Sequence, residues 1–286
     1  MISAKIIADS ICENGKRLTT FELEFPRFIL PEFNTHRALS RNASSSRAIP
    51  VATMLKSVWN NPAKPIYFGK NKAGMKATEE LTGWRLKAFK TLWNVSGKVA
   101  CVFAWGMHKL GAHKQLVNRI LECWCNIKVV TSATEWDNFF YLRNHPDAQP
   151  EIHELARQMW ELYKNNTPKF LEMGEWHLPY VEDYNVYTDE DFIPFDSFNI
   201  CLTDARKLSA SLCAQVSYRK SDESIEKAII IYDQLVGSVP AHSSPFEHQA
   251  TPTKFNITQS GNFRGWKQFR SMIPNNVCKH YNPDKL

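Results

Sequence analysis

Residues 3–26, SAKIIADSIC-ENGK-RLTTFELEFP, contain two runs with strand character on either side of a turn signal. The runs cover residues 3–12 and 17–26, and the dipeptide Asn14-Gly15 lies between them. Because Asn-Gly accommodates the positive φ angles of a tight turn, this pattern predicts a β-hairpin. We therefore expect the fold to begin with two antiparallel strands.

Helical patterns dominate much of the chain beyond the hairpin. Trp84, Ala88 and Leu92 are spaced by four residues, which is typical of one face of an amphipathic helix. Pro150 favours the first turn of another helix, and Ser221, Asp222 and Ser224 are available to cap a third. Helices are predicted at residues 51–60, about 75–125, 150–164, 205–217 and 224–237.

Residues 167–204 differ in composition, with acidic residues, aromatics and three prolines but no sustained period. This is the best candidate for a linker, and Trp176 and Tyr180 indicate that it packs onto the body. We predict a single elaborated domain over residues 1–286. Its parts are the hairpin and an arginine/serine segment at 1–50, a helical region at 51–165, a tethered segment at 166–204, and helices with a basic tail at 205–286.

Composition limits the classes of protein and partner. The 286 residues carry 35 Lys and Arg against 29 Asp and Glu, a net charge of +6 without a long basic run. This balance favours anionic ligands, phosphorylated small molecules among them, and does not single out nucleic acid. Apolar stretches are too short to cross a bilayer, and the seven cysteines form no C-x-x-C pair. We expect a cytoplasmic protein with reduced thiols and neither a metal site nor a membrane partner.

The segment from Thr35 to Arg47, THRALSRNASSSR, has the highest polar density. Its arginines, histidine, asparagine and serines would each need a buried partner in a core, so we expect a surface turn or a binding site. Guanidinium forks and clustered hydroxyls suit phosphate oxygens. An anion site is therefore favoured over a solvated loop.

The same segment resembles the signature of the flavin-dependent thymidylate synthases, the ThyX family, R-H-R-x-x-S-x-N-E-x-S-x-R. Thr35 and Ala43 stand where the family has Arg and Glu, and Glu32 stands where it has Gln. The matching positions are His36, Arg37, Ser40, Asn42, Ser45 and Arg47.

Two further segments are similar to the same family. Residues 132–152 resemble its N-A-R-S-L-x-N-F-x-x-L-R…A-Q-x-E-I helix, with Asn138 and Arg143 on fixed positions. Residues 214–218, AQVSY, and 242–248, HSSPFEH, resemble A-R-V-S-Y and H-x-[ST]-P-F-E-H. In the family this last pair precedes the arginine signature, whereas here it follows by about two hundred residues. The order therefore resembles a circular permutation, as in divergent phage homologues.

The resemblance implies a fold, a reaction and a set of partners. The fold is α/β (α+β), a mixed or antiparallel sheet with flanking helices, here with a largely helical insertion, assembled as a homotetramer. The reaction is C5 methylation of dUMP to dTMP, with methylenetetrahydrofolate as carbon donor, FAD as hydride carrier and NADPH as reductant. No cysteine falls in the three motifs, which separates this chemistry from thiolate addition.

The resemblance also implies roles for individual residues. Arg143 and Ser45 are the catalytic candidates, and Arg143 would stabilise charge at the ring carbonyl. The substrate would be bound by Arg47, Ser44, Ser45 and Arg143. FAD would be bound by His36, Arg37, Ser40, Asn42, Asn138, Ser217, His242 and Ser244.

The sequence leaves alternatives open for the role of the C-terminal tail and for the identity of the substrate. The tail at residues 261–270 offers a second phosphate contact through Arg264, Gln268 or Arg270, or is a solvated basic helix end. The substrate alternative is dCMP, or transfer of hydroxymethyl in place of methyl. Another class is a non-catalytic protein that binds nucleotide or nucleic acid.

Overall fold

The computed structural model describes residues 2–74, 76–193, 198–217, 224–238, 241–254 and 259–277. Its centre is a five-stranded sheet in the order β3-β4-β2-β1-β5. Neighbouring strands are antiparallel except β5, which runs parallel to β1, so the predicted mixed sheet is confirmed. The strands are β1 (Ser3–Cys12), β2 (Arg17–Pro26), β3 (Ser40–Ala43), β4 (Asn126–Ala133) and β5 (Lys169–Leu171).

The predicted hairpin is present with the predicted bounds. Gly15 adopts a φ of 72°, and its amide donates to the carbonyl of Cys12 at 2.8 Å. Asn14 keeps a negative φ, contrary to the expectation that both turn residues are left-handed. A four-residue connection with one left-handed glycine places the strands in register without a type I′ turn.

The predicted helices are present, although the stretch predicted at 75–125 is divided and becomes helical only at Gly83, after Glu80 forms an isolated β-bridge with Gly69. The first helix of this stretch, Gly83–Lys109, is followed by a short helix at Lys114–Val117 and a 3-10 segment at Asn118–Trp124. Of the proposed caps, Ser224 accepts from the amide of Lys227, while Ser221 and Asp222 lie outside the described residues. The helices are α1 (Leu30–Asn34), α2 (Val51–Asn60), α3 (Gly83–Lys109), α4 (Lys114–Val117), α5 (Asp137–Arg143), α6 (Pro150–Asn165), α7 (Leu202–Ala214) and α8 (Ile225–Gly237).

One face of the sheet is packed by apolar and aromatic side chains beneath α5 and α6. Phe21 of β2 contacts Trp136 edge-to-face with ring centroids 5.2 Å apart, and Leu155 and Met159 of α6 are fully buried against the same core. Each such side chain contributes roughly 1.5–3 kcal/mol of transfer free energy. This face fixes α5, and with it Arg143, at one end of the sheet.

The opposite face buries a chain of polar side chains beneath α7. His177 contacts Ser10 through Nδ1 at 2.9 Å and Thr20 through Nε2 at 2.8 Å. Thr20 continues to Ser132 at 2.6 Å, and Ser132 reaches Nδ1 of His248 at 2.9 Å. Burial lowers the pKa of both histidines to about 3, so both are neutral at pH 7.

The apolar spacing along α3 does not face the core. Trp84 and Leu92, which the sequence pattern singled out, are 74% and 67% exposed. The buried positions are Gly97, Cys101 and Ala104, which pack against α2 and the segment before β4. Small residues are buried because α3 lies close to that layer, so the larger apolar side chains occupy its outer surface.

The described part of the segment at 166–204 contributes Leu178, Val181 and Ile200 to a buried cluster with α7, and the backbone of His177 bridges to Ala250. The tail at 261–270 is not a solvated helix end, because Phe263 and Trp266 are fully buried there. Within the described ranges, no helix combines the length and apolar character needed to cross a bilayer. The short strands are β6 (Asn185–Tyr187), β7 (Asn199–Cys201), β8 (Ala250–Pro252), β9 (Gln259–Ser260), β10 (Phe263–Arg264) and β11 (Trp266–Gln268).

Candidate functional site

The arginine/serine segment lies at the edge of the sheet. Its middle forms β3 because β4, whose Val129 and Val130 favour extended backbone, offers an unpaired edge. The expectation of a surface turn or binding site is therefore only partly right. Ser44 is buried and accepts from the amide of Lys128, and Ser46 donates to Glu122 at 2.6 Å. Ser44 is thus used by the sheet and does not face a ligand through its hydroxyl.

The segment from His242 to His248 meets β3 in space. Ser244 donates to Oδ1 of Asn42 at 3.3 Å, and Nδ2 of Asn42 donates to the carbonyl of Cys213 at 2.6 Å. Asn42 therefore joins β3 both to the end of α7 and to the 3-10 turn at Ser244–Glu247. Segments separated by about two hundred residues form one surface, as the permuted order predicts.

Gln268 strengthens this junction. Its buried amide nitrogen donates to Oγ of Ser40 at 3.1 Å and to the carbonyl of Glu247 at 3.0 Å. Gly261 is required beside it, because a Cβ there would lie 1.7 Å from the Gln268 side-chain oxygen. Ser40, predicted to bind the cofactor, instead accepts hydrogen bonds from within the chain.

Arg143 and His36 form the best-defined polar pair of the site. Nε of Arg143 donates to Nε2 of His36 at 2.8 Å, and its Nη2 donates to Oγ1 of Thr35 at 3.1 Å. Burial, with Arg143 and Arg41 nearby, lowers the pKa of His36 to about 4. His36 is therefore neutral at pH 7 and carries its proton on Nδ1, which leaves Nε2 free to accept.

This pairing holds the guanidinium in one orientation. The His36 ring is itself packed edge-to-face on Phe139 of α5, with centroids 5.0 Å apart. Within the described residues, Nη1 of Arg143 makes no hydrogen bond, and the side chain is half-buried. Arg143 thus presents one fixed pair of N–H donors from a partly desolvated position, which suits a developing negative charge.

Glu32 lies near this guanidinium. Burial raises the pKa of its carboxyl, Arg143 opposes that rise, and Glu151 adds to it. Its buried Oε2 has no hydrogen-bond partner in the part of the chain that the structure describes. The sequence identified Glu32 only as a departure from the family pattern, and the burial that makes it notable is a tertiary property.

Arg270 does not serve a ligand in this conformation, contrary to its prediction as a substrate-binding residue. Its Nη1 forms an ion pair with Glu247, and its Nη2 donates to the carbonyl of Asn276 at 3.2 Å. Arg41, which the sequence did not single out, is half-buried, and its Nη1 donates to the carbonyl of His36 at 3.1 Å. Burial lowers the pKa of Arg41, while the Glu247 carboxylate raises it.

Besides Ser244, four of the predicted site residues are exposed, and none of these four side chains makes a hydrogen bond within the described ranges. Ser45 is half-buried and has partners within the chain. The side chain of Ser217 lies outside the described residues. The exposed four are Arg37, Arg47, Asn138 and His242.

The chain resembles known proteins both in sequence and in fold. Residues 17–169 match the family model Thy1, described as thymidylate synthase complementing protein. No curated protein matches the sequence of this chain. Among solved structures, the chain is similar to the UMP/dUMP methylase PolB from Streptomyces cacaoi bound with 5-Br dUMP, at 14% identity, 57% of this chain, 90% of that chain and a TM-score of 0.47. For the same methylase bound with 5-Br UMP, the sequence identity is 14%, the match covers 57% of this chain and 88% of that chain, and the TM-score is 0.45.

Proposed function

The chain belongs to the family of thymidylate synthase complementing proteins, whose chemistry is C5 methylation of a pyrimidine nucleotide, and we propose that it methylates dUMP to dTMP. The carbon would come from methylenetetrahydrofolate and the reducing equivalents from NADPH. The observation that carries the proposal is the Arg143–His36 pair, which orients a guanidinium at the junction of the family-like motifs.

Arg143 would act on the pyrimidine ring. C5 becomes nucleophilic when electron density moves toward it, and negative charge then develops on a ring carbonyl oxygen. A guanidinium fixed by His36 and Thr35 would stabilise that charge without reorganising during the reaction. Neutral His36 would thus be a positioning residue, because its Nε2 is already occupied by Arg143.

The exposed donors fit the anionic groups of a nucleotide and of FAD. Arg37 and Arg47 offer guanidinium forks to phosphate oxygens, and Asn138 and His242 offer further hydrogen-bonding groups. FAD, when bound, would supply the hydride-carrying chemistry that no side chain provides. Because these donors lie on the surface of one chain, we propose that the site is completed in a homotetramer.

Flavin binding and turnover test the proposal. We expect purified protein reconstituted with FAD to convert dUMP to dTMP in the presence of methylenetetrahydrofolate and NADPH, followed by product chromatography. Arg143→Ala should reduce kcat/KM by about 100-fold or more, a loss of roughly 3 kcal/mol of transition-state stabilisation. Arg157→Ala is the matched control, because Arg157 lies on the exposed side of α6 and, within the described residues, its guanidinium hydrogen-bonds to Glu154. Equal activity of the two variants would contradict the role of Arg143.

Glu32 favours one second candidate, methylation of dCMP. The exocyclic amine of cytosine donates a hydrogen bond where uracil presents a carbonyl, and the Glu32 carboxyl carries a buried oxygen without a partner near Arg143. Parallel assays with dUMP and dCMP decide between the substrates. If Glu32→Gln shifts the ratio of kcat/KM toward dUMP, Glu32 reads the base; an unchanged ratio excludes that role.

A further inference from the structure

The outer surface of α3 is an apolar helix face without a partner in the described chain. It lies opposite Cys101 and Ala104, the positions that pack against the body. Val99 and Val102 are 46% and 58% exposed, and Phe103 beside them is 62% exposed. A contiguous apolar surface of this kind on a folded protein marks an interaction site.

The spacing on this face is that of a coiled-coil seam. Apolar or small residues recur at alternating intervals of four and three over nearly three heptads, which is the a/d pattern that a second helix covers. The five lysines and arginines of α3 lie outside these positions, and the helix contains no Asp or Glu. The seam positions are Ala88, Leu92, Val95, Val99, Val102 and Gly106.

The seam is complementary to itself when one copy is reversed. Reflection about position 97 places Val95 of one copy opposite Val99 of the other, so that each d position meets an a position. Leu92 falls opposite Val102, and Ala88 opposite Gly106, where two small residues allow close approach of the helices. An antiparallel pair therefore has complementary layers along its length.

We propose that α3 pairs antiparallel with α3 of a second copy of this chain, around a two-fold axis near position 97. The apolar surface extends beyond the seam to Trp84 and Phe103, which are 74% and 62% exposed, toward the ~800 Å² per partner that a standard interface buries. Lys98, the cation nearest the axis, is turned aside with its Nζ 5.3 Å from the ring centroid of Trp59 on α2. The like charge at the centre is thereby held off the seam.

Molar mass measured by light scattering across a concentration series tests the pairing. Val99→Glu should halve the mass of the assembly and raise its dissociation constant at least about 100-fold, because two carboxylates would be buried without partners at the axis. The separated halves of the assembly should still fold, since Val99 is nearly half exposed in the single chain, and circular dichroism checks this. His108→Glu, which places the same carboxylate on another side of α3, should keep the wild-type mass. A Val99→Glu variant with the wild-type mass overturns the proposal.

Disulfide trapping tests the orientation. When the Val95→Cys and Val99→Cys variants are mixed and oxidised, we expect the cross-link between positions 95 and 99, identified by mass spectrometry. Cross-links only between identical positions would establish a parallel pair and overturn the antiparallel geometry. Binding to vesicles of phosphatidylcholine with phosphatidylserine tests a lipid surface as the partner of α3. A wild type whose α3 does not pair but binds these vesicles would overturn the proposal.

Discussion

Acid should unfold this protein through two buried histidines. His177 and His248 are fully buried, and burial lowers both pKa values from 6.5 to about 3. In the unfolded chain the same imidazoles take up a proton below pH 6.5, whereas in the folded protein they do not until about pH 3. Because the unfolded state then binds more protons, stability falls as the pH drops from 6.5 toward 3.

The size of this effect follows from the pKa shifts. Each histidine contributes about 1.4 kcal/mol of lost stability per pH unit within that window. From pH 6.5 to 4.5 the pair would therefore remove roughly 5 kcal/mol, which is comparable with the whole free energy of unfolding of a typical protein. His36, with a pKa of about 4, adds to the loss over the upper part of the same range.

Urea titrations at pH 7.0, 6.0, 5.0 and 4.5 measure the effect through the free energy of unfolding. His177→Gln keeps a neutral hydrogen-bonding side chain between Ser10 and Thr20 and should reduce the pH slope by about 1.4 kcal/mol per unit. His108→Gln is the control, because that imidazole is exposed to water in the folded and the unfolded protein. Identical slopes for wild type and His177→Gln would refute the reasoning.

Three further outcomes follow from single contacts. Gly15→Ala should lower the free energy of unfolding by about 1 kcal/mol in a thermal melt, because φ there is 72° and alanine is strained in that region. Asn42→Ala should cost about 1–3 kcal/mol and make residues 241–254 more susceptible to limited proteolysis, because it removes the contacts to Cys213 and Ser244. Arg270→Met should lower the free energy of unfolding, because Arg270 pairs with Glu247. The nucleotide affinity measured by calorimetry should stay within about twofold of wild type; a larger loss would mean that Arg270 binds the substrate.

Elements with local signals were predictable from the sequence. Asn14-Gly15 marks the hairpin turn and Pro150 marks the start of α6, and both elements have the predicted bounds to within a residue. β4 was not predicted, although its Val129 and Val130 favour extended backbone. β3 was not predicted because the strand character of residues 40–43 depends on pairing with a segment about ninety residues away. Long-range pairing of this kind leaves no signal within the short segment itself.

The candidate site was predictable as a set of motifs but not as a set of contacts. The family resemblance selected His36 and Arg143, yet their hydrogen bond spans 107 positions of sequence and fixes which nitrogen accepts. Arg270 was predicted to bind the substrate because the sequence of the basic tail shows no acidic partner for it. The ion pair with Glu247 is formed by the tertiary structure. Along α3, the same apolar spacing is compatible with a core face and with an outer face, and only the packed structure separates them.

The junction between β3 and the turn at Ser244–Glu247 has a consequence for synthesis of the chain on the ribosome. The side chains of Ser40 and Asn42 in β3 form hydrogen bonds with Cys213, Ser244 and Gln268, which are translated long after Asn42. At about 5–20 residues per second, the intervening two hundred residues take on the order of 10–40 s to emerge. During that interval the outer edge of β3 lacks its cover, and exposed strand edges pair readily with other chains. The order of motifs thus creates a period of aggregation risk in the nascent protein that ends when the last quarter of the chain folds back over the edge.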